Sequence, residues 1–203
     1  MELIVCASNI EFRIVNNLIK NKKYINENIF LSDSKMFAKI GVGIENSYKS
    51  LRNIIKQYDI TAVILIGTCA STTNDLKLYD VLEPSIVSLY DLSNKAVIKD
   101  TIILNNNSTL HISSSNNCVQ NAFESNMLKM HDVSLVDMES YSVAKICSKN
   151  NIPLTIIKGI CDEPYNNNKD EYDDSDWAKF KNNTILVMQI ICEQYLFKKK
   201  INK

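Results

Sequence analysis

Glycine is scarce in this chain. Gly41, Gly43, Gly67 and Gly159 are the four among 203 residues, against an average usage of about 7%. They cannot be arranged into a G-x-G-x-x-G fingerprint or a Walker A loop, so phosphate binding by a Gly-rich cradle is excluded. Histidine is scarcer still. With His111 and His131 alone, a three-His zinc site is excluded and a Ser-His-Asp or Cys-His triad has few candidates. An excess of one charge is missing too: Lys+Arg and Asp+Glu both number 23, for a net charge of zero. That argues against nucleic acid or an anionic membrane as a partner held by bulk electrostatics. No apolar run reaches the roughly 18 residues of a bilayer-spanning helix. The opening MELIVCASNIEF lacks the basic n-region and long apolar stretch of a signal peptide. Lys198, Lys199, Lys200 and Lys203 read as a solvated end.

Cysteine is present in number but not in pattern. Cys6, Cys69, Cys118, Cys147, Cys161 and Cys192 are far apart, form no C-x-x-C pair, and several lie inside apolar runs. Free buried thiols are expected, with no metal site, and the implied compartment is reducing, most simply the cytoplasm. The 45% hydrophobic and 23% charged composition is that of a globular chain of single-domain size.

Apolar runs alternate with helical patterns. Residues 2–7, 38–43, 61–67, 109–113, 132–137 and 153–161 read as strands, and their near-continuous apolarity predicts strands buried on both faces. Helices are predicted over about 9–20, 44–57, 116–130, 138–150 and 176–197. The stretch 79–104 reads as strand and turn. Asn105–Asn107 and Asn166–Asn168 are Asn tracts that suit surface loops, and Glu163–Asp176 reads as a polar acidic loop before the last helix. Without a linker or repeat, the expectation over 1–203 is a single α/β domain, its mixed central sheet flanked by helices.

Ligands of open α/β sheets collect at the carboxyl ends of strands. Glu11, Glu139 and Asp162 each follow a predicted strand end. Singly, each has an ordinary structural explanation: acids favour the first turn of a helix, and Asp favours turns. Together at one sheet edge, with almost no His or Gly, they suggest carboxylate chemistry on a neutral polyol-like substrate.

The segment SLVDMESYSVAKICSKNNIPLTIIKGICDEP resembles the C-terminal signature of the purine nucleoside phosphorylase/nucleosidase superfamily. It is most similar to the 5′-methylthioadenosine/S-adenosylhomocysteine nucleosidases and futalosine hydrolases. Upstream, VGIENSYKSLRNIIKQYDITAVILIGTCAST and LKLYDVLEPSIVSLYD resemble the family's Gly-Ile/helix/strand/Gly-Thr segment and its Leu-Lys-x-x-Asp-Val strand. ASNIEF resembles its Glu-bearing start.

The resemblance implies an N-ribosyl hydrolase of a purine nucleoside, without metal or organic cofactor, and a homodimer. It implies that Glu139 holds the ribose 2′- and 3′-hydroxyls beside the backbone of Met138, that Asp162 is the general acid at purine N7, and that Glu11 activates water. Val119 and Cys118 fall where the family contacts the base, although Cys118 stands in place of the usual aromatic and Asn116 in place of an acid. Thr68, Cys69 and Ala70 fall in the strand-end segment lining the substrate. Trp177 and Phe180 fall near the aromatics that cover the ribose 5′ side. Lys158 replaces a usual Arg, and Cys161 a common Ser. Phosphorylases of the superfamily carry an Arg where this chain has Leu65, and the arginines present, Arg13 and Arg52, lie in predicted helices. The resemblance therefore favours hydrolysis. A phosphorylase and a diverged, non-catalytic nucleoside-binding protein are the alternatives.

Overall fold

A computed structural model of the chain describes residues 1–91, 97–104, 107–119, 121–162 and 174–197. The Asn166–Asn168 tract, most of the Asn105–Asn107 tract, residues 163–173 of the acidic loop and the terminal lysines lie outside the described residues. The chain runs β1 (Glu2–Cys6), α1 (Asn9–Leu18), β2 (Lys23–Asn26), β3 (Ile29–Ser32), β4 (Lys35–Lys39), α2 (Ile44–Gln57), β5 (Ala62–Ser71), β6 (Val81–Leu82), β7 (Ile86–Asp91), β8 (Val97–Ile103), β9 (His111–Ser114), α3 (Ala122–Lys129), β10 (Leu135–Asp137), α4 (Ser140–Lys149), β11 (Leu154–Asp162) and α5 (Asp174–Ile191), closed by a π-turn at Cys192–Leu196. All the strands join one mixed sheet, so the predicted fold class is borne out.

The apolar strands are buried on both faces because consecutive residues serve opposite layers. Leu3, Val5, Leu65 and Ile156 pack with Leu51, Ile54, Val143 and Ile146 of α2 and α4. Their neighbours Ile4, Cys6, Ile66 and Ile157 pack with Phe12 and Val15 of α1 and Val187, Met188 and Ile191 of α5. This period-two division between two helical layers explains why the strands read as continuous apolar runs rather than alternating ones.

The long strand β5 organises the sheet. Its first part lies between parallel neighbours β1 and β11, with Val5 opposite Leu65 and Lys158 opposite Gly67. Its last residues pair instead with antiparallel β10, Val136 opposite Ala70, and through β10 the sheet continues to β9, β7 and β8. The change of partner at Ala70 opens the sheet just beyond the end of β1, which is where an α/β sheet offers a binding crevice.

Some element boundaries differ from those expected. The strand predicted over 38–43 is β4, which ends at Lys39; Gly41 and Gly43 follow with φ of 88° and 90°, a conformation that no strand continues through. The predicted helix 116–130 begins only at α3, because the Asn121 side chain accepts from Glu124 N at 2.9 Å and caps it there. The strand 132–137 is shortened to β10 by a turn with Asp132 at φ 57°. The β2–β3 hairpin was not expected at all; β2 is exposed along its whole length and lacks a core-facing pattern. The 79–104 stretch is β-structured among its described residues, as predicted.

Candidate active site

Ser8 caps α1 through a reciprocal capping box. Its Oγ accepts from Glu11 N at 3.2 Å, and Glu11 Oε2 accepts from Ser8 N at 2.8 Å. The ordinary explanation for Glu11 is therefore present, but it uses one oxygen only. Oε1 reaches across to β5, where it accepts from Thr68 N at 2.9 Å and Thr68 Oγ1 at 3.2 Å, while Ala7 N adds a second backbone donor to Oε2 at 3.1 Å. Four donor contacts fix the plane of a carboxylate that is 4% exposed. This clamps the end of β1 to the middle of β5.

Glu139 has no such local duty. It is the N-cap residue of α4 yet makes no capping bond. Asp137 does that work, its Oδ2 accepting from Ser140 N at 3.1 Å and Ser140 Oγ at 2.6 Å. The Glu139 carboxyl turns inward and accepts from Gly43 N at 2.9 Å. Gly43 presents that N–H from a left-handed backbone, φ 90°, which a residue with Cβ adopts only at a cost. Burial is the main influence on Glu139 and raises its pKa to about 8; Lys158 opposes the shift, while Asp137 and Glu11 add to it.

Lys158 is the counter-ion. It lies on β11, fully buried, with Nζ 2.9 Å from Asp137 Oδ2. It also approaches the Thr68 carbonyl at 3.5 Å. Burial lowers its pKa, but the fields of Asp137, Glu139 and Glu11 outweigh this and hold it above the ordinary lysine range. A methyl at Gly67 would stand 2.8 Å from Glu11 Oε1 and 3.2 Å from Lys158 Nζ, so both charged groups lie against the side-chain face of Gly67. Asp137 thus pairs with this cation, Glu11 lies with it against Gly67, and the charge of Glu139 also reaches it.

Asp162 is reached where β11 ends, opposite Ala70, after a bulge at Cys161. Val136 is the other partner of Ala70, so Asp162 and the turn into Glu139 flank the same position of β5. The Cys118 thiol senses both: although the residue is exposed overall, loss of water around its sulfur raises its pKa first, then the charges of Glu139 and Asp162. Burial likewise raises the Cys161 thiol, to about 12, with Asp162 and Glu11 contributing. Glu11 and Glu139 therefore feel each other's charge, while Asp162 shares the Cys118 thiol with Glu139 and the Cys161 thiol with Glu11.

Around them, Cys118 is exposed and its thiol lies 3.6 Å from Met138 Sδ, so this sulfur pair borders the carboxylates. Val119 packs with Ala70 against Tyr90, Leu128, Val133 and Val136. Thr68 is committed to Glu11. Cys69 turns its thiol into the main core, where it contacts the Gly159 carbonyl at 3.6 Å. Phe180 packs against the core cluster beneath α1 and α5, and Trp177, half exposed, meets it edge-on at 5.9 Å between ring centroids. Leu65 is fully buried, and Arg13 and Arg52 are exposed on their helices. Sequence reasoning assigned no role to Asp137. It noted Lys158 only as a replacement for Arg, although a lysine inside the apolar run IIKGI signals a buried partner.

The fold agrees with the comparisons. Residues 106–196 match the model of the Phosphorylase superfamily, and the resemblance to the purine nucleoside phosphorylase/nucleosidase superfamily is borne out. Among solved structures, the chain is similar to futalosine hydrolase of Helicobacter pylori strain 26695, with 18% identity, TM-score 0.75, and 95% of this chain and 97% of that one covered. It is also similar to the 5′-methylthioadenosine/S-adenosylhomocysteine nucleosidase of Neisseria meningitidis in complex with methylthio-immucillin-A, with 16% identity, TM-score 0.73, and 95% and 96% covered. The nucleosidase of Colwellia psychrerythraea 34H in complex with adenine gives 12% identity, TM-score 0.74, and 93% and 90% covered. No curated protein matches significantly.

Proposed function

We propose that this chain is an N-ribosyl hydrolase cleaving the glycosidic bond of a purine nucleoside, of the kind represented by 5′-methylthioadenosine or S-adenosylhomocysteine. The observation that carries the reading is the charge arithmetic of the site. Glu11 and Asp137 lie about one buried cation, Lys158, which is already paired with Asp137, and the raised-pKa Glu139 lies within reach of the same charges, so the negative charge exceeds the positive. Such a site favours a substrate that becomes cationic as it reacts, as a ribosyl group does when its C–N bond breaks. It disfavours a phosphate dianion as the attacking group, and the buried Leu65 supplies nothing to hold one. Water is accordingly the nucleophile in this reading.

The roles follow from chemistry and position. Glu139, carrying a proton near neutral pH, offers both a donor and an acceptor to the ribose 2′- and 3′-hydroxyls. Glu11, its plane fixed by Ala7, Ser8 and Thr68, orients water and takes its proton. Asp162 passes a proton to the departing base, so that the base leaves neutral. The Cys118–Met138 sulfur pair borders the base, soft and polarizable where an aromatic would stack.

A chromatographic screen for free base, released from a panel of purine nucleosides with and without inorganic phosphate, tests this. Release at a rate indifferent to phosphate, lost on Asp162→Asn, is the expected result. Release only with phosphate would make the chain a phosphorylase. Thermal stabilisation by nucleosides with no base released would make it a binding protein.

A further inference from the structure

The outer edge of β11 is held by backbone bonds up to Ile160, two residues before Asp162. Lys158 and Gly159 pair with β6, and Ile160 exchanges bonds with the turn before it: Tyr79 N donates to Ile160 O at 2.9 Å, and Ile160 N to Asp80 O at 3.0 Å. The next carbonyl, that of Cys161, sits in the bulge that precedes Asp162. It is taken by a side chain, Asn183 Nδ2 of α5, at 2.9 Å. Asn183 Oδ1 in turn accepts from Tyr79 Oη at 2.9 Å. A carbonyl can only accept, so the amide nitrogen of Asn183 must face Cys161, and its oxygen must face the tyrosine hydroxyl. The orientation is determined from both ends.

Two further features hold this relay. Tyr79 sits at φ 72°, a left-handed backbone that is costly for a residue of its size. Gly159 lets α5 lie against β11, since a methyl there would stand 2.2 Å from Val187 Cγ1. Val187 is one helical turn after Asn183, so the same close approach delivers the amide to Cys161. Asn183 is 6% exposed, a buried amide among the apolar residues of α5. Burial of a polar amide is tolerated because both ends are satisfied.

We infer that Asn183, oriented by Tyr79, is a positioning residue that fixes the β11 bulge and thereby aims the Asp162 carboxyl at the leaving group. The inference rests on the acid role proposed for Asp162. Asn183 touches neither substrate nor reacting atoms; it acts through the Cys161 carbonyl. The experiment compares wild type, Asn183→Ala, Tyr79→Phe and the double variant. Its two readouts are steady-state base release and titration of the Asp162 carboxyl by carbon-13 NMR. A misplacement of this kind costs roughly 10- to 100-fold in turnover. Asn183→Ala is expected to lose kcat on that scale, with KM within about threefold. Tyr79→Phe, which removes one hydroxyl and little packing, should lose less in the same direction, and the double variant should be no worse than Asn183→Ala, as a shared relay requires. Tyr79→Phe also covers the case in which Asn183→Ala folds poorly. If wild type turns over and Tyr79→Phe and every folded Asn183 variant match it, or lose only KM, the inference is overturned and the proposed function stands. If wild type releases no base from any nucleoside, the proposed function fails. The NMR titration then decides the positioning: an Asp162 curve displaced in the variants upholds it, and an unchanged curve overturns it.

Discussion

At the scale of single residues, the site is governed by a proton and a cation. Glu139 titrates near 8 when folded, mainly because it is buried, whereas an unfolded glutamate titrates near the ordinary carboxylate value. The folded protein therefore holds a proton that the unfolded chain releases. Its contribution to stability is complete below the ordinary carboxylate range and declines as pH rises towards and through about 8. Glu139→Gln removes this dependence, so its stability should fall less steeply than wild type between about pH 5 and pH 8 in denaturant titrations. Equal slopes would place the proton elsewhere. Lys158 is the opposite case, a buried charge whose loss strands its partners. Lys158→Met should destabilise the fold by about 3–5 kcal/mol, because Asp137 is left as an uncompensated buried carboxylate. Pairing it with Asp137→Asn should restore much of the melting temperature. A double variant no more stable than the single would show that the ion pair is not the seat of the cost.

At the scale of elements, what was legible in the sequence was what local pattern controls. Continuous apolar runs mark β1, β5 and β11, and helical periodicity marks α2 over 44–57 as found. The β2–β3 hairpin was not legible, because β2 faces solvent and carries no hydrophobic signal. Nor was the partner change of β5 at Ala70, which depends on where β10 docks and not on any residue of β5. Within the site, Glu11, Glu139 and Asp162 were visible because acids at strand ends are unusual in an apolar context. Asp137 and Asn183 were not, since an aspartate at a strand end before a helix and a helical asparagine look ordinary until the elements facing them are known. Gly159 shows the same dependence on a facing element. A methyl there meets the β-branched Val187 at 2.2 Å, and that side chain has little rotamer freedom with which to withdraw. Gly159→Ala should therefore destabilise by about 1–3 kcal/mol through overpacking, and should slow turnover by pushing α5 off the Cys161 carbonyl. Adding Val187→Ala makes room for the methyl. Recovery of the melting temperature in the double variant is the check, and no recovery would mean that strand conformation, not helix approach, demands the glycine.

At the scale of the whole molecule, charge is arranged so that selectivity acts at contact and not at a distance. The chain carries 23 positive and 23 negative residues, so it creates no strong long-range field for a ligand to follow. The cluster of Glu11, Glu139, Asp137 and Lys158 lies buried among β1, β5, β10 and β11, and its excess negative charge is felt only by a group seated beside it. A ribose mimic whose ring nitrogen is protonated near neutral pH reproduces the developing cation that this cluster would stabilise. It should bind at least about 100-fold more tightly than a neutral carbocyclic counterpart of the same shape, the usual lower range for transition-state likeness. Its association rate should change little with ionic strength, and the preference should reside in slow dissociation, because steering needs a field that a neutral molecule lacks. Stopped-flow binding at low and high salt separates the two rates. Equal affinity for the charged and neutral mimics would remove the electrostatic basis of the hydrolytic reading, whereas a preference carried by a salt-sensitive association rate would move the responsible charge from the buried cluster to the protein surface.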